Sequence, residues 1–170
     1  MFREMRRKRQ ELTKKQCEEI LCKGSHGVLA LSGDEGYPYA LPISYVYDGK
    51  KIYFHSAASG HKIDAVKSCP KASFCVVARD DIVPEEYTTY FKSVIVFGNV
   101  EIVQDENEKM DAINKLALKY APNDSEANRQ AAIRRDWAPL CMLAMRPRHI
   151  SGKQAIELVK GRSVNGENKA

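Results

Sequence analysis

Four side chains between positions 56 and 62 have the types and the spacing to bind a phosphate group. Ser56 and Ser59 carry hydroxyls, His61 carries an imidazole and Lys62 an ammonium group. Hydroxyls fix the geometry of a bound anion, while lysine and partly protonated histidine supply positive charge. The chemistry that this stretch could perform is therefore recognition of a phosphomonoester.

A strand that leads directly into a helix would position these groups. Residues Lys51–Ser56 alternate with the period of a half-buried strand, with Ile52 and Phe54 on one face. Ser59 is the predicted N-cap of a short helix that ends before Pro70. A helix N-terminus stabilises anions through its free N–H groups and its dipole. The alternative interpretation is a junction with a purely structural role.

Composition and cysteine usage indicate a single soluble domain. The 170 residues are 44% hydrophobic and 29% charged, which suits one domain that buries a core without disulfides or structural metal. No apolar run approaches the roughly 20 residues that span a bilayer, and no signal-peptide segment is evident, so we expect a cytoplasmic protein with no membrane partner. The five cysteines include no C-x-x-C pair, so they favour reduced structural residues over a zinc site.

A basic segment opens the chain. The formal net charge is +5, and much of it lies in residues 3–9. Such an arm can bind nucleic acid, but a solvated tail or an arm that wraps around a second subunit is the commoner structure, so we predict no nucleic-acid partner. The predicted organisation is a basic arm over 1–12, one domain over 13–155, and a partly disordered tail over 156–170.

Alternating and helical patterns predict a mainly β fold with flanking helices. Thr13 opens a capping box for a helix over 13–23. Asp48-Gly49 is a strong hairpin signal between strands over 38–47 and 51–56. The other predicted elements are strands over 27–31, 71–78, 90–103 and 140–146, a polar loop over 79–89, and helices over 105–121 and from about 124 to 136.

Two residues indicate how the sheet is shaped. Gly98 lies inside the strand over 90–103 and indicates a bulge or a tight bend. Pro42 cannot donate to a strand ladder, so it marks an edge, a bulge or a ligand contact. The strong curvature that these positions imply indicates a barrel.

Three motifs follow one another along the chain, at residues 36–45, at 52–57 together with 60–65, and at 87–94. Together and in this order they resemble the nitroimidazole-resistance (Nim-type) branch of the pyridoxamine 5′-phosphate oxidase superfamily. The resemblance covers roughly residues 5 to 155 in order. It implies a six-stranded, FMN-binding split β-barrel with one short helix after the third strand and a helical pair before the last.

The resemblance also implies FMN at the interface of a homodimer. It places the flavin phosphate where the third strand meets the helix and the isoalloxazine along the second strand, and the second subunit closes the site. The residues carried over are Ser56, Ala57, His61 and Lys62 for the phosphate, Pro42, Ile43, Ser44 and Tyr45 for the ring with His55 nearby, and Tyr90 or Phe91 from the second subunit, followed by Trp137 and His149.

The implied activity is that of an FMN-dependent oxidoreductase. A reduced nicotinamide nucleotide, NAD(P)H, would supply electrons to FMN, which would pass them to a small organic acceptor such as a nitroaromatic. His55 and Tyr45 are the candidate proton donors, although a histidine bonded inside a strand pair is the commoner role of His55. The junction carries one lysine and one histidine, fewer cations than the vitamin oxidases of the superfamily carry, so we do not expect pyridoxamine phosphate oxidation.

A second hypothesis is a flavin- or haem-binding carrier or sensor without turnover. Haem would require an axial histidine, for which His55, His61 and His149 are the candidates. No carboxylate or cysteine pair near the first two histidines completes a metal site. A visible spectrum separates the two cofactors.

Overall fold

The computed structural model describes residues 1–159. Its strands are β1 His26–Ser32, β2 Pro38–Ser44, β3 Val46–Tyr47, β4 Ile52–Ala57, β5 Lys71–Val83, β6 Thr88–Ile102 and β7 Leu140–Gln154. The helices that flank them are α1 Lys14–Lys23, α2 His61–Ser68, α3 Glu106–Tyr120 and α4 Glu126–Arg135. The tail predicted for 156–170 lies, from residue 160 onward, outside the described residues.

The strands form one curled antiparallel sheet that is open along a seam. The strand order is β2-β1-β5-β6-β7-β4-β3. β2 and β3 lie at opposite ends of this order, yet only Tyr45 separates them in the chain. Because one residue spans about 3.8 Å and neighbouring strands lie about 4.8 Å apart, the sheet must curl until its two edges meet. No ladder joins those edges within residues 1–159, so the predicted split barrel is confirmed.

The seam divides the predicted strand over 38–47, which explains seven strands where six were expected. β2 pairs with β1, from His26 opposite Ser44 to Ser32 opposite Pro38. Only β3 pairs with β4 across the Asp48-Gly49 hairpin. The hairpin itself is confirmed, since Gly49 has a φ of 91° and the Asp48 carboxylate accepts from the backbone N–H groups of Lys50 and Lys51.

Two further boundaries differ from the sequence prediction. The polar stretch over 79–89, predicted as a loop, is mostly strand, because β5 runs to Val83 and β6 begins at Thr88. β7, predicted to end at residue 146, continues to Gln154. In both cases backbone pairing with β6 extends the strand through residues whose polarity does not predict one.

Gly98 and Pro42 have the predicted roles. The register between β6 and β7 shifts at Gly98, where Arg148 is the extra residue of the bulge. A Cβ at Gly98 would clash with the carbonyl of Arg146, so the close approach of the two backbones requires glycine. Pro42 lies on the edge strand β2, opposite Val28.

Two hydrophobic clusters stabilise the barrel. The larger cluster fills the interior and includes Phe54, Phe74 and side chains of α1 and α2. The smaller packs α3 on β4 and β7, on the side away from the barrel interior, where Tyr53 and Met142 cluster with Leu116. Apolar side chains on both faces of β4 are therefore buried. None of the helices within residues 1–159 has the length and apolarity of a membrane-spanning helix.

The predicted helix boundaries near α1 and α3 are confirmed. Thr13 and Gln16 form the reciprocal capping box at the start of α1. Asp105 caps α3 by accepting from the N–H of Glu108, and Ser125 caps α4. The basic arm packs on its own chain, since Phe2 stacks on His149 with ring centroids 4.8 Å apart.

Candidate functional site

The junction between β4 and α2 has the predicted strand-to-helix form, but its cap differs. The N-cap of α2 is Gly60, with a φ of 112° and no side-chain cap bond, so the prediction of Ser59 as N-cap is wrong. The Gly60 carbonyl accepts from the N–H groups of Ile63 and Asp64, at 2.9 and 3.1 Å. The backbone N–H groups of His61 and Lys62, the first two residues of α2, therefore have no intrahelical partner and are free to bind an anion.

Lys62 is an uncompensated cation at this free helix end. Its side chain is partly buried, and burial lowers its pKa, an effect that the nearby thiol of Cys141 opposes. In the part of the chain that the structure describes, no carboxylate lies within 4.0 Å of its ammonium group. Ser56 faces Cys141 across the β4–β7 ladder. An anion bound here would offset the cost of burying the lysine charge.

His61 links the helix end to β2. Its ring stacks on Tyr39 with centroids 4.1 Å apart and an interplanar angle of 18°. Its Nε2 lies 3.5 Å from Oδ2 of Asp34. The prediction did not include Tyr39 or Asp34, because the loop before β2 meets α2 only in the folded barrel. Asp34 adds negative charge at the margin of the site, on a side chain that is 89% exposed.

The residues predicted to contact the flavin ring divide between the two faces of β2. Ile43 is buried in the barrel interior. Pro42 and Ser44 point outward, as the alternation along β2 requires. A planar ligand along this strand would therefore contact Pro42, Ser44 and Ala40 with the backbone between them, and the Ile43 side chain would support the strand from within.

Tyr45 has no free group to offer a ligand. Its side chain is fully buried and meets Phe74 edge to face, with centroids 4.8 Å apart. Its hydroxyl has no partner among the described residues, and burial raises its pKa. Its backbone N–H donates to the Tyr120 hydroxyl and its carbonyl accepts from Lys119, at 3.0 Å each. Within one chain the Tyr45 side chain therefore does not reach the surface, and its role as a flavin contact or proton donor stays a prediction.

His55 remains a candidate for proton transfer. It lies opposite Met142 of β7, and its ring reaches the surface. Surrounding protein lowers the pKa of His55, and the positive charge of Lys62 lowers it further. The imidazole is therefore neutral at neutral pH and close to the helix end, where it can accept a proton.

One chain does not bring two of the predicted contacts to this junction. Tyr90 and Phe91 lie at the start of β6. The junction lies near the other end of β6, because Leu143 of β7 pairs both with Phe54 of β4 and with Ile102 of β6. At about 3.3 Å per residue, Phe91 and Ile102 are roughly 36 Å apart along the strand. Only a second subunit could supply Tyr90 or Phe91 to the site.

The two remaining predicted contacts lie in different places. Trp137 lies close to the junction in the same chain, because its carbonyl accepts from the N–H of Leu140, which pairs with Ala57 at the end of β4. Its ring is covered by Lys109, whose ammonium lies 4.1 Å from the ring centroid. His149 stacks under Phe2 of the N-terminal arm. Residues 1–159 also contain no group of three metal-ligating side chains.

Two rows of uncharged residues run across the outward face of the sheet next to Pro42, and we call these two rows the outer face. Strand registers define two rows of outward residues across five strands, and neither row contains a charged residue. The rows are Pro42, Val28, Cys75, Ile95 and Ser151, and Ala40, Ala30, Ser73, Phe97 and His149. Val28 is 41%, Ile95 40% and Phe97 39% exposed. Phe2 of the N-terminal arm stacks on Phe97 and His149, so the uncovered apolar part of the outer face runs from Pro42 through Val28 to Ile95. An exposed apolar surface of this kind on one chain is typical of an interaction site.

Solved structures of other proteins share this fold. A candidate 5-nitroimidazole antibiotic resistance protein from Bacteroides thetaiotaomicron is 20% identical, with a TM-score of 0.71 over 84% of this chain and 85% of that one. An FAD- and haem-binding protein from Mycobacterium smegmatis is 21% identical, with a TM-score of 0.71 over 86% and 73%. A conserved hypothetical protein from Mycobacterium tuberculosis is 16% identical, with a TM-score of 0.76 over 89% and 90%. At these identities the likeness shows the fold alone.

No curated protein sequence matches this chain. A family model described as pyridoxamine 5′-phosphate oxidase matches residues 13–154, which include every strand of the barrel and the β4–α2 junction. The chain therefore belongs to the pyridoxamine 5′-phosphate oxidase family.

Proposed function

We propose that this protein binds FMN between β2 and the β4–α2 junction and acts as an FMN-dependent oxidoreductase. The observation that carries the proposal is the partly buried, unpaired Lys62 beside the free amides of α2. A phosphomonoester carries a charge of about −1.5 to −2 near neutral pH, which this lysine and helix end would largely neutralise. The flavin, when bound, would accept electrons from NAD(P)H and deliver them to a small organic acceptor.

The residues at the β4–α2 junction fit the phosphate group of FMN better than they fit the other parts of FMN. Lys62 supplies charge, the amides of His61 and Lys62 supply directed donors, and Ser56 supplies a hydroxyl at the end of β4. The Asp34 carboxylate lies 3.5 Å from His61, and Asp64 lies in the first turn of the same helix, so both oppose anion binding. The exposed Asp34 side chain can turn into solvent, so the balance of charge still favours an anion.

Along β2, Pro42 and Ser44 would form one wall for the ring. Neutral His55 can accept a proton at its unprotonated ring nitrogen beside the junction. Tyr90 and Phe91, the residues predicted to close the ring site, are remote from it within one chain. The site would therefore be complete only in a homodimer.

The outer face supports this homodimer. It begins at Pro42, the residue proposed to contact the ring, and extends across β1, β5 and β6 without a charged residue in its two rows. A second copy seated on it would bury apolar surface and bring protein to the open side of β2. Apolar area of this kind stabilises association in proportion to its burial.

A spectrum of the protein as purified tests the cofactor, followed by mass measurement of the released molecule. We expect two flavin bands and the mass of FMN. A Soret band would instead support the haem-binding alternative. Bleaching by NAD(P)H and recovery with an added nitroaromatic would distinguish an enzyme from a flavin carrier.

The double variant His61→Ala/Lys62→Ala tests the site. Loss of the charge and of its hydrogen bonds to phosphate should weaken FMN binding about 10- to 100-fold. Lys67→Ala, at the exposed end of the same helix, is the matched control and should retain FMN. Unchanged FMN content in the double variant would refute the proposed phosphate site.

A further inference from the structure

A cavity of about 430 Å³ lies between the last turn of α1 and the sheet, on the outward side. Lys23, His26 and Lys92 contribute to its walls, together with Glu19, while Val77 and Ala78 give it an apolar floor. Val77 is 61% exposed. The volume is within the range that small-molecule sites occupy.

The cavity lies at the opposite end of β2 from the proposed phosphate site. Tyr39, near the start of β2, stacks on His61 of the helix end. At the other end of the strand, Ser44 pairs with His26, which lines the cavity. Tyr39 and Ser44 are five positions apart, or roughly 17 Å along the strand. Tyr39 packs on the inward face of β2, while Ser44 ends the outward strip proposed for the flavin, so the strip adjoins this cavity at its Ser44 end.

The cavity is rich in cations that lack acidic partners. Among residues 1–159, neither Lys23 nor Lys92 lies within 4.0 Å of a carboxylate. The Ser25 hydroxyl lies 3.0 Å from Nδ1 of His26, which leaves the other ring nitrogen for a ligand. Glu19 and the carbonyl end of α1 oppose this charge, but the two lysines outweigh them.

We propose that this cavity binds the carboxylate or phosphate group of the acceptor, so that the substrate class is a small anionic aromatic molecule. The inference rests on the proposed function, because the flavin strip defines which molecule would occupy the cavity. The lysines would hold the anionic group, and Val77 and Ala78 would contact the aromatic body. A neutral analogue of the same shape would lose the lysine contacts alone.

The matched ligands 4-nitrobenzoate and 4-nitrobenzamide, titrated calorimetrically into the protein as purified, test this proposal. Wild type should bind the carboxylate roughly tenfold more tightly than the amide, as expected for partly exposed ion pairs. Lys23→Ala/Lys92→Ala should abolish that preference and leave the affinity for the amide unchanged. Lys14→Ala/Lys15→Ala, on the first turn of α1 and away from the cavity, should retain it. Equal affinities in wild type, or a preference that persists in the cavity variant, would overturn the assignment.

Inorganic pyrophosphate provides a readout that does not need flavin. The test uses flavin-stripped protein that carries His61→Ala/Lys62→Ala, which removes the other proposed anion site. Pyrophosphate should bind to this protein and should no longer bind when Lys23→Ala/Lys92→Ala is added. If the purified protein holds no flavin but pyrophosphate binds through these lysines, the proposed function fails and the cavity assignment stands. If flavin is bound and neither anion requires the lysines, the cavity assignment alone fails.

Discussion

The hydroxyl of Tyr120 accepts a hydrogen bond of 3.0 Å from the backbone N–H of Tyr45 at the seam of the barrel. The same hydroxyl also contacts the carbonyls of Ser25 and Tyr45. A tyrosine hydroxyl has one hydrogen, so it can donate to only one of them, and Lys119 donates to the Tyr45 carbonyl at 3.0 Å. The end of α3 thus satisfies peptide groups that have no strand partner, and it fixes β2 where the flavin is proposed to lie.

Tyr120→Phe should lower the free energy of unfolding by about 1–3 kcal/mol, because it leaves the buried N–H of Tyr45 without an acceptor. Urea denaturation gives the value, and amide exchange at Tyr45 should accelerate. Tyr47→Phe is the matched control, since its hydroxyl donates to the Gly49 carbonyl in an exposed hairpin. That control should lose about 1 kcal/mol or less. Equal losses would contradict a special role for Tyr120.

Ile95→Glu should convert the proposed homodimer into monomers. Ile95 lies in the middle of the outer face, and a carboxylate buried there without a partner should cost at least about 3 kcal/mol, or roughly a hundredfold in the dimer Kd. Sedimentation velocity measures the result. Leu118→Glu, at a residue that is 46% exposed on α3, is the control and should remain dimeric. A dimeric Ile95→Glu protein would show that the outer face is not the interface.

Lys62→Ala should raise the pKa of His55, because the lysine charge is one of the two causes that lower it. A histidine whose folded pKa lies below its ordinary value of 6.5 binds protons more readily when unfolded, so the folded state loses stability as pH falls through that value. Removing Lys62 should lessen that loss. An NMR titration of the His55 ring gives the pKa, with Lys67→Ala as the control. An unshifted pKa would place Lys62 too far from His55 to share a site.

Local periodicity predicted the elements near the site well. The capping box at Thr13, the Asp48-Gly49 hairpin and the bulge at Gly98 depend on a few neighbouring residues, and each is confirmed. Ser59 was the wrong N-cap because a glycine one position later can adopt the positive φ that opens α2. The stretch over 79–89 was predicted as a loop but is mostly strand, because the pairing of β5 with β6 leaves no pattern in the local sequence.

The site residues were harder to predict, because a side chain of β2 can contact a ligand only if it lies on the outward face of that strand. Tyr45 was an attractive aromatic contact in sequence, but it lies at the seam and turns into the core. Tyr39 was overlooked, although it stacks on His61. Alternation along β2 could have separated Ile43 from Pro42 and Ser44. It could not have predicted the break at Tyr45, which follows from pairing with strands far along the chain.

Residue types and their spacing were enough to predict the strand-to-helix junction at Ser56–Lys62 and the family to which the chain belongs. Both follow from patterns over a few positions, which local backbone physics governs. The folded chain over residues 1–159 was needed to show that Lys62 has no carboxylate partner there, that the two rows of the outer face hold no charged residue, and that a basic cavity lies beyond Ser44. Those properties depend on which strands meet across the curled sheet, and contacts between residues distant in the chain set that arrangement.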